Sequence, residues 1–331
     1  MLKYPLHIEI KLTNKCNLKC LHCIALAGKE TQDELSTKEI FSIIDDAKKN
    51  GAFTIGLTGG EPFLRKNIFE IIDKVYSCGL HLIITTNGTL LTKDIVERIK
   101  DKVSLFRISL DNNIEERHDY FRGTKGSFVK AINAIKLLLK YEKFFQLTTL
   151  TVISNYNINK ITEIIDFFED LGIKSSNIFL FVPGGRGANR RNDFCLSRDQ
   201  IKNFCETIKN EKLNRSKISI HTSNPLMSII ESDENSSRCP AAFTSCFIVE
   251  NGNVLPCPYF YKYNYPDDNI RNNKLIDIWK QSDRFNSLRD DTKLNFKCKK
   301  CSHKNACFGG CRAGAYMEYN SIDGPDPMCW I

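Results

Sequence analysis

Residues 16–23 read Cys16-Asn17-Leu18-Lys19-Cys20-Leu21-His22-Cys23, a Cys-x3-Cys-x2-Cys spacing set just after an apolar opening run. Three thiolates can hold three irons of a four-iron cluster and leave the fourth iron open to an outside ligand. A closed structural site wants four protein ligands. Taken alone, the triplet also fits a zinc knuckle whose fourth ligand lies elsewhere, and His22 is close by. The rest of the chain decides between the two.

The 331 residues exceed one ordinary core, so one large domain with a smaller companion is expected. Apolar and charged fractions of 42% and 26% are those of a soluble globular chain. No run approaches the ~18 apolar residues of a membrane span. Met1-Leu2-Lys3-Tyr4-Pro5 lacks the apolar core of a signal peptide, so a cytoplasmic location is expected, where disulfides are rare. The 14 cysteines therefore need another role. Three stand near the N-terminus, Cys78, Cys195 and Cys205 are scattered, and eight lie between Cys239 and Cys329. Such grouping argues for metal sites. The net charge of +8 falls as thiolates bind metal. What remains suits an acidic partner or acidic redox protein and is too dispersed for nucleic acid.

From residue 6 to residue 187, short β-rich apolar runs alternate with amphipathic helical patterns. The strands are expected at 6–12, 53–57, 80–85, 103–110, 146–153 and 177–182. The helices are expected near 37–49, 67–77, 92–100, 127–141 and 158–171. Ser36 or Thr37, Asn67, Thr92 and Asn157 stand at helix starts, and Gly51, Gly79 and Gly172 at helix ends. This alternation predicts an α/β fold with a parallel sheet. Six strands are too few for a full eight-stranded barrel, so the sheet should be a partial (β/α)6 TIM-like barrel with its site at the C-terminal strand ends. Each strand does deliver a polar or glycine-rich cluster at that end. These are the cysteine triplet, Thr58-Gly59-Gly60-Glu61-Pro62, Thr86-Asn87-Gly88, Ser109 with Asp111, Ser154-Asn155, and Pro183-Gly184-Gly185-Arg186-Gly187.

The triplet after the first strand, with Gly59-Gly60-Glu61-Pro62 after the second, resembles the radical S-adenosylmethionine (SAM) enzymes through residue 190. The resemblance implies a 4Fe–4S cluster on Cys16, Cys20 and Cys23, its open iron chelated by the amino and carboxylate groups of SAM. Gly59, Gly60, Glu61 and Pro62 would meet the methionine ammonium, glycine letting the backbone come close. Asn87, Ser109, Asp111, Arg122 and Asn155 would reach the ribose or carboxylate, and Val182 the adenine. His22 stands where many members carry an aromatic residue.

Residues 191–235 read as a polar connector with a helix near 198–209 and a short strand at 217–221. From there the pattern is Cys239-x6-Cys246-x5-Gly252-x4-Cys257, then Cys298-x2-Cys301-x5-Cys307-x3-Cys311, then Cys329. This is similar to the SPASM extension of peptide-modifying radical SAM enzymes. The alternative is a pair of zinc ribbons, since Cys298-x2-Cys301 alone fits one. By resemblance, residues 236–331 form a small cysteine-rich SPASM domain with two auxiliary 4Fe–4S clusters. One is on Cys239, Cys246, Cys257 and Cys311, the other on Cys298, Cys301, Cys307 and Cys329, giving three clusters in the chain.

The chemistry implied is cleavage of SAM to a 5′-deoxyadenosyl radical that abstracts a substrate hydrogen. The leading expectation is maturation of a ribosomally made peptide by a thioether, carbon–carbon or carbon–oxygen link. Its partners would be a flavodoxin- or ferredoxin-type electron donor and a separate leader-binding protein, since strand one begins by residue 6. Haem-pathway side-chain removal is the rival, sharing the Cys-x-His-Cys ending and the Gly-Arg-Gly of residues 185–187. Anaerobic sulfatase maturation is weakened by Pro258 and Tyr259 after Cys257. A zinc-ribbon interaction protein is the non-enzyme alternative. Cys195, as a hydrogen-atom donor, and Tyr259 are the further catalytic candidates, while Cys78 and Cys205 read as packing.

Overall fold

Side chains alternate across a strand, and here the alternation separates an apolar outer row from a polar inner one. The strands β1 (His7–Lys11), β2 (Thr54–Thr58), β3 (His81–Thr86), β4 (Leu105–Ser109), β5 (Gln146–Ile153) and β6 (Ser175–Leu180) run parallel, each beside the next. Their outward residues, among them Ile8, Ile10, Leu57, Ile84 and Phe106, are fully buried under the helices. The inward ones, Glu9, Thr58, Thr85, Arg107, Ser109 and Asn177, line cavities. The computed structural model describes residues 2–231, 238–261 and 266–331. The expected boundary at 235/236 lies outside the described residues.

Helices α1 (Thr37–Lys49), α2 (Ile68–Ser77), α3 (Lys93–Ile99), α4 (Glu115–Arg122), α5 (Ser127–Leu139) and α6 (Ile161–Asp170) make the outer layer. Ser36 and Glu39 form a reciprocal capping box at α1, and the Thr92 hydroxyl accepts from Ile95 N–H at α3. Asn67 and Asn157 were expected to cap and do not: neither side chain accepts from a backbone N–H of its helix's first turn, and Asn67 Nδ2 donates instead to the Glu70 carboxylate at 2.9 Å. Asn157 Nδ2 instead donates to the Asp111 and Val152 carbonyls, both at 2.9 Å, tying β4 to β5. The sequence pattern did not reveal α4, because the residues it buries include His118, Asp119 and Arg122 as well as Phe121.

Two additions extend the six-stranded sheet. Strand β7 (Ser219–His221) pairs parallel with β6, and β8 (Ser245–Ile248) pairs parallel with the other face of the barrel opening, along β1. Strand β9 (Val254–Leu255) closes that edge antiparallel to β8, giving the order β7-β6-β5-β4-β3-β2-β1-β8-β9 among the described residues. The cysteine-rich half thus shares the barrel's own sheet. Among the described residues no helix is long and apolar enough to cross a membrane.

A buried ion pair joins the halves. Lys11, at the end of β1 and 1% exposed, reaches Glu250 at 2.8 Å and the Tyr261 hydroxyl at 2.7 Å, and Tyr261 donates to Glu250 at 2.7 Å. Removing one partner of such a pair strands the other charge. Lys11→Met should therefore cost about 3–5 kcal/mol in chemical denaturation, while Lys11→Met with Glu250→Gln costs clearly less. Equal losses in the two variants would mean the pair is not what joins the halves.

Candidate active site

The loop after β1 is held by its backbone. Gly60 N–H donates to the Thr13 carbonyl at 2.7 Å and Glu61 N–H to that of Lys15 at 2.8 Å. Leu21 N–H donates to the Phe121 carbonyl and Arg186 N–H to that of Cys23, both at 2.9 Å. The approach is close enough to require glycine at two crossings. A Cβ on Gly60 would lie 2.3 Å from the Lys15 carbonyl oxygen, and one on Gly185 at 2.3 Å from that of Cys23. Glu34 braces the start of the loop, accepting from Thr13 Oγ1 at 2.9 Å and Asn14 N–H at 2.8 Å.

Held this way, Cys16, Cys20 and Cys23 line one cavity of about 230 Å³ together with Gly59, Gly60, Asn87, Ser109, Arg122 and Val182. Among the described residues no three His, Cys, Asp or Glu side chains close on a single metal ion. Three thiols spread around a cavity, beside a glycine pair with no side chain to fill it, suit a cluster and a small ligand together. Asn87 is fixed to the loop, its Nδ2 donating to Asn17 Oδ1 at 3.0 Å. Arg122 Nε donates to Asp111 Oδ2 at 2.6 Å, and its Nη1 points toward Cys20 Sγ at 3.9 Å.

Other expected residues lie elsewhere. Glu61 is fully buried and does not line the cavity; it accepts from Thr86 Oγ1 at 2.7 Å and Asn87 N–H at 2.9 Å. Pro62 starts a short 3-10 turn and is buried. Asp111 is likewise spent inside the protein, on Arg122 and on Val152 N–H at 3.0 Å. Asn155 accepts from Gln200 Nε2 at 2.8 Å and lines neither cavity. Cys195 packs beside Phe121, Phe181 and Phe194, and of these Phe181 lines the cavity. His22 stacks on Phe121 with ring centroids 3.9 Å apart, and burial, then the charge of Arg122, lowers its pKa to about 3.

Arg186 was missed as a site residue. Its Nε donates to the Cys20 carbonyl at 2.9 Å and its Nη1 to that of Ala27 at 2.5 Å, so it clamps the loop from the far side. The signal was present, an arginine between glycines after the sixth strand.

A second cavity, of about 560 Å³, shares His22, Thr85, Ser109, Arg122, Val152 and Tyr259 with the first. Its far wall carries Cys239, Cys257 and Cys311. Beyond burial, Cys239 raises the Cys257 thiol, Cys239 and Cys257 both raise that of Cys311, and all three act on the Tyr259 phenol. Cys246 also touches this wall but sits on the outward row of β8, paired with Ile8. Cys298, Cys301, Cys307 and Cys329 line a separate small cavity, a complete four-thiol set.

A radical SAM superfamily model matches residues 10–168, and an iron–sulfur cluster-binding SPASM model matches residues 239–302. The chain is 31% identical over 345 residues to an AdoMet-dependent heme synthase of Methanosarcina barkeri, covering 99% of this chain and 97% of that protein. It is 28% identical over 330 residues to the mycofactocin maturase MftC of Mycolicibacterium smegmatis, covering 98% and 82%. The fold matches Streptococcus suis SuiB bound to precursor peptide SuiA with a TM-score of 0.82 at 20% identity, over 99% of this chain and 76% of that one.

Burial raises the Glu61 carboxyl to about 7, against the three hydrogen bonds that favour its charged form. Its proton is held more tightly folded than unfolded, so its contribution to stability falls as pH rises between about 4.5 and about 7. Infrared difference spectra should show one buried carboxyl titrating near neutral pH, lost in Glu61→Gln. A wild-type spectrum with no such band would remove the assignment.

Proposed function

Because the chain belongs to the radical SAM superfamily and carries a SPASM iron–sulfur domain, we propose that it modifies a side chain of a ribosomally made peptide. The observation that carries this reading is the continuity of the two cavities: the cysteine triplet stands at one end and the Cys239, Cys257 and Cys311 thiols at the other. A substrate lying between them meets the site of hydrogen abstraction and a site able to take its electron.

Cys16, Cys20 and Cys23 would hold the first cluster, which with SAM bound and an electron supplied yields methionine and the 5′-deoxyadenosyl radical. Gly59 and Gly60 leave the backbone open to the methionine end. Asn87, Ser109 and Val182 line the same space, and Arg122 sets a positive charge beside it. Cys298, Cys301, Cys307 and Cys329 would hold an auxiliary cluster, and the thiols facing the large cavity another, three in all. A flavodoxin- or ferredoxin-type protein would supply the electron. The large cavity falls in the ~300–1,000 Å³ range of sites that enclose a ligand. It presents both signs of charge, Glu9 against Arg107, and aromatic walls in Phe179 and Phe243, which suits a peptide segment. The names of the MftC and SuiB relatives point the same way.

A second reading, removal of a carboxyl group from a tetrapyrrole side chain, draws on the heme synthase relatives and on Arg107, Arg122, Arg238 and Arg312 in the cavity wall. Mass spectrometry after incubation with reductant and SAM separates the two. Loss of two hydrogens from a peptide encoded beside the enzyme supports the first reading. Loss of a carboxyl group from an iron tetrapyrrole replaces it with the second.

The residues divide the labour by position. Cys298→Ala should lose about four of some twelve irons, still cleave SAM, and fail to modify substrate. Normal substrate turnover in a folded variant lacking that cluster would make the second thiol set purely structural.

A further inference from the structure

Among the described residues four arginines line the large cavity, and three of them bring a carboxylate of their own. Arg122 is held by Asp111 at 2.6 Å, Arg312 by Asp323 at 3.4 Å, and Arg238 pairs with Asp291. Arg107 differs. It stands on the inward row of β4, makes no hydrogen bond or ion pair with any described residue, and keeps its Nε buried without an acceptor. Its neighbours are engaged elsewhere. Thr148 of β5, opposite Arg107, accepts from Asn177 Nδ2 at 2.9 Å and Ser175 Oγ at 3.1 Å. Glu9 is turned to His7 at 3.7 Å; burial opposes its charge, and His7 and then Arg107 support it, but no oxygen of Glu9 comes within ion-pair distance of Arg107. On the other side Thr85 of β3 stands opposite Arg107, and Ser109 lies two residues further along β4, about 7 Å away. Thr85 and Ser109 line both cavities, with hydroxyls that no described residue engages. A guanidinium in a cavity without a counterion calls for an anion from outside.

We propose that Arg107 is the residue that selects the substrate, taking one of its carboxylates inside the barrel with the Thr85 hydroxyl as a second donor. The inference rests on reading the large cavity as the substrate site and narrows that reading to a substrate that carries a carboxylate. An acidic side chain of a peptide and a propionate of a tetrapyrrole offer the same two oxygens, and the planar fork of an arginine matches either. Position gives the contact its use. Thr85 and Ser109 border the cavity of the cysteine triplet as well, so a carboxylate held by Arg107 leaves the carbons next to it at the junction of the two cavities, where the hydrogen is to be removed. Arg122 lies at the same junction but is occupied by Asp111, and Arg238 and Arg312 stand beside Cys239 and Cys311 on the far wall. Arg107 binds and orients; it exchanges no proton or electron in the step.

Chemical labelling tests this without turnover. Phenylglyoxal modifies guanidinium groups, and peptide mapping of the cluster-loaded wild-type protein, treated without oxygen, reads which arginines react. Arg107 should be labelled ahead of Arg122, Arg238 and Arg312. The charged probes are acetyl-Gly-Glu-Gly-amide and haemin; their neutral partners are acetyl-Gly-Gln-Gly-amide and haemin dimethyl ester. At least one charged probe should protect Arg107, and neither neutral partner should. The charged probe that protects at the lower concentration identifies the source, a peptide carboxylate or a tetrapyrrole propionate. By calorimetry that probe should bind Arg107→Gln at least about tenfold more weakly than wild type, Arg107→Lys in between, and Glu9→Gln no more weakly than wild type. An unlabelled Arg107, protection by neither charged probe, equal protection by charged and neutral probes, or wild-type affinity in a folded Arg107→Gln each overturns the proposal. The labelling arm needs no variant to fold. Absence of SAM cleavage would remove the function proposed above, while the labelling result would still decide whether Arg107 takes a carboxylate.

Discussion

Everything at the site depends on the backbone of one loop being held from outside. The stretch from Thr13 to Gly28 forms no helix and a single bridge of its own, Lys15 with Gly28, so most of its polar groups need partners from outside, and a buried carbonyl without a donor costs about 1–3 kcal/mol. Donors arrive from separate parts of the barrel: Gly60 and Glu61 after β2, and Arg186 after β6. The segment after α4 contributes closeness, since a Cβ on Gly123 would lie 2.3 Å from the Lys19 carbonyl oxygen. Gly123 is also in the left-handed region at φ +63°, so a side chain there is penalised twice. The three thiols converge because the barrel converges. A free loop with the same spacing would not place them together.

The same economy of buried groups explains why the cysteine-rich half is not a loose appendage. It enters the barrel's sheet through β8 and places Glu250 and Tyr261 against Lys11 of β1. Trp279, fully buried, donates from Nε1 to the Leu2 carbonyl at 3.0 Å, a second tie to the chain's start. Desolvation of Lys11 opposes its charge and Glu250 restores it, so the lysine is stable only while the two halves are docked. Cys23 also acts on Lys11, which brings this link to the edge of the candidate cluster site.

Periodicity in the sequence located the first six strands within a few residues of their places, because each is a short apolar run with turn residues at its end. The family resemblance likewise implied Cys298, Cys301, Cys307 and Cys329 as a set, and the four line one cavity. What sequence could not convey was which way a polar side chain turns once buried. Glu61 and Asp111 stand at strand ends, where a ligand carboxylate partner is expected, yet their oxygens are taken by Thr86, Asn87, Val152 and Arg122. Helix α4 escaped notice because its buried face carries His118 and Arg122 among the apolar residues. Strands β8 and β9 are too short for periodicity to show.

Charge completes the picture of how such an interior can exist before and after metal binds. Burial pushes Cys16 up to about 11, Cys307 to about 11 and Cys257 to about 12, so without iron these thiols are neutral and the core holds no stranded anions. Binding iron requires the thiolate, so loading releases protons and installs negative charge where water is scarce. The chain meets that charge with cations already in place: Arg122 acts on Cys20, Lys11 is acted on by Cys23, Arg238 acts on Cys239 and Arg312 on Cys298. Each of these cations also has a carboxylate beside it, Asp111 for Arg122, Glu250 for Lys11, Asp291 for Arg238 and Asp323 for Arg312, so the cysteine sites are set within charge-balanced pairs.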